Sequence, residues 1–228
     1  MILITSYYIP NHIERKKEID ICLMNNFNNK YISNIFLLNN KIYDIDFIND
    51  KYEKIKQIII NNDQDYKLLF SDAIDYINKN FKDRICILSN SDIYFDNTLS
   101  KINNKNINNR LFALLRYDED IYHKKNLFSL YNLPRKDAQD CWIFRSPLKI
   151  DINKLHFSFG TLGCDNIFAK LIYDTGLFII NPCYDIISTH VHHTNFRTYV
   201  ETNRLHGTYC LLEACKIDEL PKPEFIEY

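Results

Sequence analysis

The chain has 228 residues, a size that favours one large α/β domain over two complete ones and that allows a hydrophobic core without disulfide or metal staples. Its 28 basic and 29 acidic residues leave a net charge of −1, and no basic stretch is dense enough to follow a phosphate backbone, so nucleic acid is not an expected partner. Asn (27), Ile (34) and Lys (20) share AT-rich codons and are abundant, whereas only four glycines are present, too few and too scattered for a dinucleotide fingerprint or a phosphate loop.

Ile2–Tyr8 reads as a buried first strand, and Pro10 suits the opening of a helix. That helix is predicted over Asn11–Phe27, where Ile19, Leu23, Met24 and Phe27 recur at helical spacing and the Asn-rich segment Asn25–Asn29 stops it. Strands follow at Ile32–Leu38 and Ile55–Ile60, a second helix at Asp63–Asn80, and a fourth strand at Arg84–Ser89. This alternation predicts a mainly parallel sheet covered on both faces, with ligands at the carboxyl ends of its strands. Three loops then share one rim: after Tyr7, at Asn61–Asn62, and at Asn90–Asp96. Leu111–Tyr117 reads as a fifth strand, and Asp118–Lys154 as loop-rich except for a strand at Cys141–Arg145. Cys164–Tyr173 is a predicted helix ended by Gly176; strands Leu177–Ile180 and Ile186–His190 follow, then a final amphipathic helix over Phe196–Cys215. The start is too poor in apolar residues for a signal peptide, and no run approaches the ~20 residues of a membrane span. Seven cysteines, odd in number and never spaced C-x-x-C, read as thiols in a reducing, cytoplasmic setting.

Four segments carry chemistry. Ile85–Ser89 runs into Asn90-Ser91-Asp92, which is how a sheet edge presents a hard metal ion to a diphosphate; an acidic turn ending a strand is the alternative. In Ser188–His193, His190 and His192 face one side of an extended segment and can reach one ion, against the alternative of surface or core histidines. Gly160 and Gly163 sit in a loop entering a helix at Asp165, a carboxylate that serves either as a helix-end charge or as a general base. Asp137 and Asp140 flank the only tryptophan, Trp142, a pattern suited to sugar binding by ring stacking and hydroxyl hydrogen bonds, or else a core ring beside exposed acids.

The order of a first strand, a helix carrying Arg15, Asn90-Ser91-Asp92 after a central strand, Gly163-Cys164-Asp165-Asn166 and His190 resembles a GT-A-type glycosyltransferase. It is similar above all to small domains of this type encoded by large DNA viruses and some bacteria, over roughly residues 2–200. The resemblance implies a single Rossmann-like α/β domain, with residues 1–100 binding the nucleotide sugar and 101–228 forming the acceptor side and C-terminal helix. It implies transfer of a hexosyl or deoxyhexosyl group from a nucleotide sugar, a uridine diphosphate sugar, to a hydroxyl of a glycan or other acceptor, with Mn²⁺ or Mg²⁺. Asp92 matches the retained carboxylate of the D-x-D motif, whose first aspartate is Asn90 here, and His190 or His192 completes the metal shell. Asp165, or Asp140, would take the acceptor's proton, with Trp142 and Asn166 on the acceptor side. Thr5, Tyr7 and Asn61 would line the nucleoside pocket near Arg15, Lys67 and Ser91. Arg116 would face the leaving phosphate. Asn90 also motivates the alternative of a degenerate domain that binds a glycan or nucleotide without turnover.

Overall fold

The computed structural model describes residues 1–49, 51–194 and 203–228, leaving the side chains of residues 51 and 52 undescribed. In chain order the first half contains β1 (Ile2–Thr5), α1 (Ile13–Asn28), β2 (Asn34–Asn39), α2 (Lys51–Lys54), β3 (Ile55–Ile59), α3 (Phe70–Asn80), β4 (Ile85–Ser89) and β5 (Ile93–Phe95). Then come β6 (Arg110–Leu114), β7 (Tyr117–Glu119), β8 (Lys125–Leu127), β9 (Ser129–Leu130), β10 (Leu133–Pro134) and β11 (Cys141–Arg145). The chain closes with α4 (Cys164–Tyr173), β12 (Phe178–Ile180), β13 (Ser188–Val191), β14 (Thr208–Leu211) and β15 (Glu224–Glu227).

Seven strands form the central sheet in the order β12-β6-β11-β4-β1-β2-β3. β4, β1, β2 and β3 run parallel, β12 is parallel to β6, and only β11 opposes its neighbours. Period-two alternation divides the core between the two faces. Ile2, Ile4, Cys86, Leu88, Trp142 and Phe144 turn to the side packed by α3 and α4. Leu3, Ile87, Ile143 and Phe112 turn to the side packed by Ile19 and Leu23 of α1. The result is the mixed, mostly parallel, single-domain α/β fold expected from the alternating pattern.

A second sheet, ordered β5-β13-β7-β8, lies on the α1 side of the molecule. The Asn-rich end of α1 fastens it. Buried Asn26 donates to the Ile93 carbonyl at 2.8 Å and accepts from the Phe95 amide at 3.1 Å, and Asn29 donates to the Phe95 carbonyl at 2.9 Å. The segment read as a helix stop is therefore also the clamp that sets the position of β5.

Several boundaries differ from expectation by one to three residues, among them the fifth strand, which ends at Leu114 and not Tyr117, and three further departures have local reasons. β1 ends at Thr5 because the Tyr7 amide donates to the Asn39 side chain at 2.8 Å instead of continuing the ladder. The second long helix starts at Phe70, not Asp63, since Asn61 and Asp63 accept from backbone amides two residues on and the Phe70 amide bonds the Phe157 carbonyl at 3.0 Å. Of the final helix expected over Phe196–Cys215, residues 196–202 lie outside the described residues, and the rest is corrected: β14 pairs antiparallel with β15. Cys210 and Leu212 both enter the core at the period of a strand, which a helical reading mistook for an amphipathic face. No helix among the described residues is long and apolar enough to cross a membrane, and all seven cysteines are buried and free.

Candidate functional site

Asp92 lies on the short connection from β4 to β5, and β13 runs beside β5 with His190 opposite Ile93. That register sets His190 Nε2 3.2 Å from Asp92 Oδ2, while Nδ1 is 2.9 Å from Asp118 Oδ1. The same Asp92 oxygen accepts from the guanidinium of buried Arg15, which also donates to Glu18 Oε2 at 2.8 Å and the Val191 carbonyl at 3.1 Å. Burial pushes the Asp92 carboxyl up, but the charges and hydrogen bonds of His190 and Arg15 outweigh it and hold the group far below the usual carboxylate range. Burial pulls His190 down, and Asp92 with Asp118 more than reverses this, raising it to about 9.

His192 follows on the same side of the segment, with its ring 5.3 Å from that of His190. Burial, then the charges of Arg15 and His190, lower its pKa. Its Nε2 is buried and has no hydrogen-bond partner among the described residues, although buried polar atoms are as a rule satisfied. One ligand atom from each of Asp92, His190 and His192 lies within 4.8 Å of the others. An orphaned imidazole nitrogen beside a carboxylate and a second imidazole is a donor set that fits a divalent cation.

Farther along the rim a second cluster surrounds the start of β11. Both Asp140 carboxylate oxygens accept from Arg116 Nη1, at 3.2 and 3.0 Å, and Oδ1 also accepts from Asn90 Nδ2 at 3.1 Å. Arg116 Nε donates to Asp118 Oδ1 at 2.8 Å, and its guanidinium lies 4.1 Å over the Phe128 ring. Asp165 occupies the first turn of α4, where the helix end favours a negative charge. Its Oδ2 accepts from the Gln139 amide at 3.0 Å and its Oδ1 from Asn166 Nδ2 at 3.1 Å. Burial nevertheless raises this carboxyl, the Gln139 amide opposes, and the nearby Asp140 charge adds, so that the pKa stands at about 7. Of the two carboxylates, Asp140 is tied up by a guanidinium whereas Asp165 is tuned to exchange a proton near neutrality.

The remaining expected residues divide. Thr5, Tyr7, Asn90 and Ser91 do line one small cleft between β1 and β4, together with Ser6. Tyr7 is anchored there by its hydroxyl, which donates to Asp20 at 2.6 Å, and by edge contact with Tyr43. Asn61 and Lys67 are exposed on the loop after β3, at the far edge of the sheet, and Asn61 is spent on its own turn. Trp142 is corrected from acceptor stacking to core: it is 1% exposed and enclosed by Phe70, Phe159 and Phe168. Asn166 is buried as well and braces Asp165 and the Asp137 carbonyl instead of facing an acceptor. Sequence reasoning missed Asp118, Glu18 and Tyr8, the last of which lies close enough to Asp92 and Arg15 for their charges to act on its hydroxyl. Only for Tyr8 was a signal present, its place at the carboxyl end of the first strand as read from the sequence.

No known family profile matches the sequence, and no curated protein does. Among solved structures, the mannosyltransferase PcManGT from Pyrobaculum calidifontis, in complex with GDP-Man and Mn²⁺, superimposes with a TM-score of 0.51 at 11% identity. The match covers 86% of this chain and 57% of that one, so the chain spans little more than half of the mannosyltransferase. S. aureus TarS 1–349 superimposes at a TM-score of 0.46 and 11% identity over 87% of this chain and 59% of its own. At this identity the first match shows the fold alone: the chain shares the mixed, mostly parallel, GT-A-like α/β architecture of that mannosyltransferase.

Proposed function

We propose that this chain is a metal-dependent glycosyltransferase that moves a hexosyl or deoxyhexosyl group from a nucleotide sugar to a hydroxyl acceptor. The observation that carries the reading is the meeting of Asp92, His190 and the unpartnered His192 on one rim of a glycosyltransferase-like sheet. These three would hold Mn²⁺ or Mg²⁺, and two imidazole nitrogens tilt the choice toward Mn²⁺. Bound there, the ion supplies positive charge against a leaving diphosphate. Arg15, already on Asp92, adds a second cation at the same place. Thr5, Tyr7, Asn90 and Ser91 would border the donor, read as a uridine diphosphate sugar; the mannosyltransferase was solved with GDP-Man. Asp165 would take the proton of the acceptor hydroxyl, while Arg116 holds the Asp140 carboxylate in place beside it by hydrogen bonds. Residues 1–100 would serve the donor, joined at the ion by His190 and His192, and the rest of 101–228 the acceptor.

The test is release of nucleoside diphosphate from a panel of uridine and guanosine diphosphate sugars, with and without Mn²⁺. Mn²⁺-dependent release that is lost in Asp92→Ala and Asp165→Asn is the expected result; release from none of the donors overturns it. A second reading, binding without turnover, is favoured by one observation: Asn90 stands where the motif has an aspartate and is engaged with Asp140. Calorimetric binding of a donor with no release would decide for it.

A further inference from the structure

We propose that Asp118 is a positioning residue for the metal site, holding the His190 ring so that Nε2 is the nitrogen offered to the ion; this rests on the metal-dependent reading above. Parallel pairing of β7 with β13 sets Asp118 directly beside His190. The carboxylate meets Nδ1 at 2.9 Å, which leaves Nε2 pointing at Asp92. An imidazole attached through one rotatable bond can present either nitrogen, and a carboxylate on the other nitrogen fixes both ring orientation and tautomer. Asp118 is itself held, since Arg116 Nε donates to the same oxygen at 2.8 Å. Arg116 in turn is clamped by Asp140 and covered by the Phe128 ring at 4.1 Å. The side chain of His190 is 10% exposed and that of Asp118 42%, so the brace reaches a buried ligand from the solvent side. Among the described residues, the other side-chain hydrogen-bond contact of His190 is Asp92, on Nε2.

Mn²⁺ titrations by calorimetry and pulsed electron paramagnetic resonance on the full chain test the role without any sugar substrate. Loss of such an outer carboxylate weakens metal binding by about 10- to 100-fold, and Asp118→Asn is expected to fall in that range. Asp118→Glu, which keeps the charge, is expected to recover most of the affinity. Glu119→Gln, one residue along with its carboxylate on Tyr94 and His123, is expected to bind Mn²⁺ as the parent does. At saturating Mn²⁺ the Asn variant should retain the nitrogen coupling of His192 and show an altered coupling from His190. An Asn variant within twofold of the parent in affinity, with unchanged couplings, overturns the positioning role alone. A parent chain that binds no Mn²⁺ overturns the metal reading together with it. Should the Asn variant fail to fold, Asp118→Ser, which takes the carboxylate away from Nδ1, decides by the same two readouts: parent-like affinity with an unchanged His190 coupling overturns the proposal.

Discussion

Asp165 carries a carboxyl that burial holds near a pKa of about 7, and the sign of its effect can be measured. In the unfolded chain the group titrates at about 4. Because the folded value is raised, its stabilising contribution is complete below pH ~4 and is lost as pH rises through about 7. Subtracting the denaturant stability of Asp165→Asn from that of the parent should therefore yield a difference that falls between these limits, by on the order of 1.4 kcal/mol per pKa unit, and is level above them. Transfer that uses Asp165 as base should rise over the same interval. A pH-independent difference would mean that the carboxyl titrates alike in the folded and the unfolded chain. Among single residues, chemistry was legible wherever a rare type recurred at short spacing, as with His190 and His192. It was not legible for Trp142, because burial is decided by what packs from α3 and α4, and a sequence shows the ring without its neighbours.

At the scale of elements, alternation of apolar residues located the strands of the central sheet, and β11 and α4 fall where expected over Cys141–Arg145 and Cys164–Tyr173. The hairpin strands between residues 117 and 134 escaped because they are two or three residues long and largely exposed, too short for a period to show. Gly163 brings the start of α4 against Tyr209 of the C-terminal strand β14. Its φ is +83°, and a Cβ there would overlap the Tyr209 hydroxyl, which itself donates to the Leu205 carbonyl at 2.7 Å. The left-handed conformation costs a residue with a Cβ about 1–2 kcal/mol, and the steric overlap adds roughly 1–3 kcal/mol more. Gly163→Ala is thus expected to lower stability by about 2–5 kcal/mol in chemical denaturation. The double variant with Tyr209→Ala should show a cost for the glycine change reduced toward the conformational part alone. An unchanged cost would separate α4 from β14.

Across the whole molecule, one chain of alternating charge runs through the site: Glu18, Arg15, Asp92, His190, Asp118, Arg116 and Asp140, ending on Asn90. It joins α1, both sheets and the start of β11, with links 72 and 98 residues apart in sequence, which is why Asp118 could not be read from any local motif. The chain also accounts for the departure from the D-x-D pattern. Asn90 Nδ2 donates to Asp140 Oδ1 at 3.1 Å, and an aspartate at this position would set two carboxylates against each other beside a single guanidinium. Asn90→Asp, which restores the motif on paper, is therefore expected to weaken the protein: losing a hydrogen bond to a charged group and leaving an acceptor unsatisfied costs about 1–3 kcal/mol. The loss should be seen as a lower melting temperature in EDTA. Mn²⁺ would recover part of it only if the new carboxylate reaches the ion, since a ligand stabilises the state that binds it. An Asn90→Asp chain as stable as the parent in EDTA would show that Asp140 does not depend on the Asn90 amide, and that the asparagine is no part of the charge balance of the site.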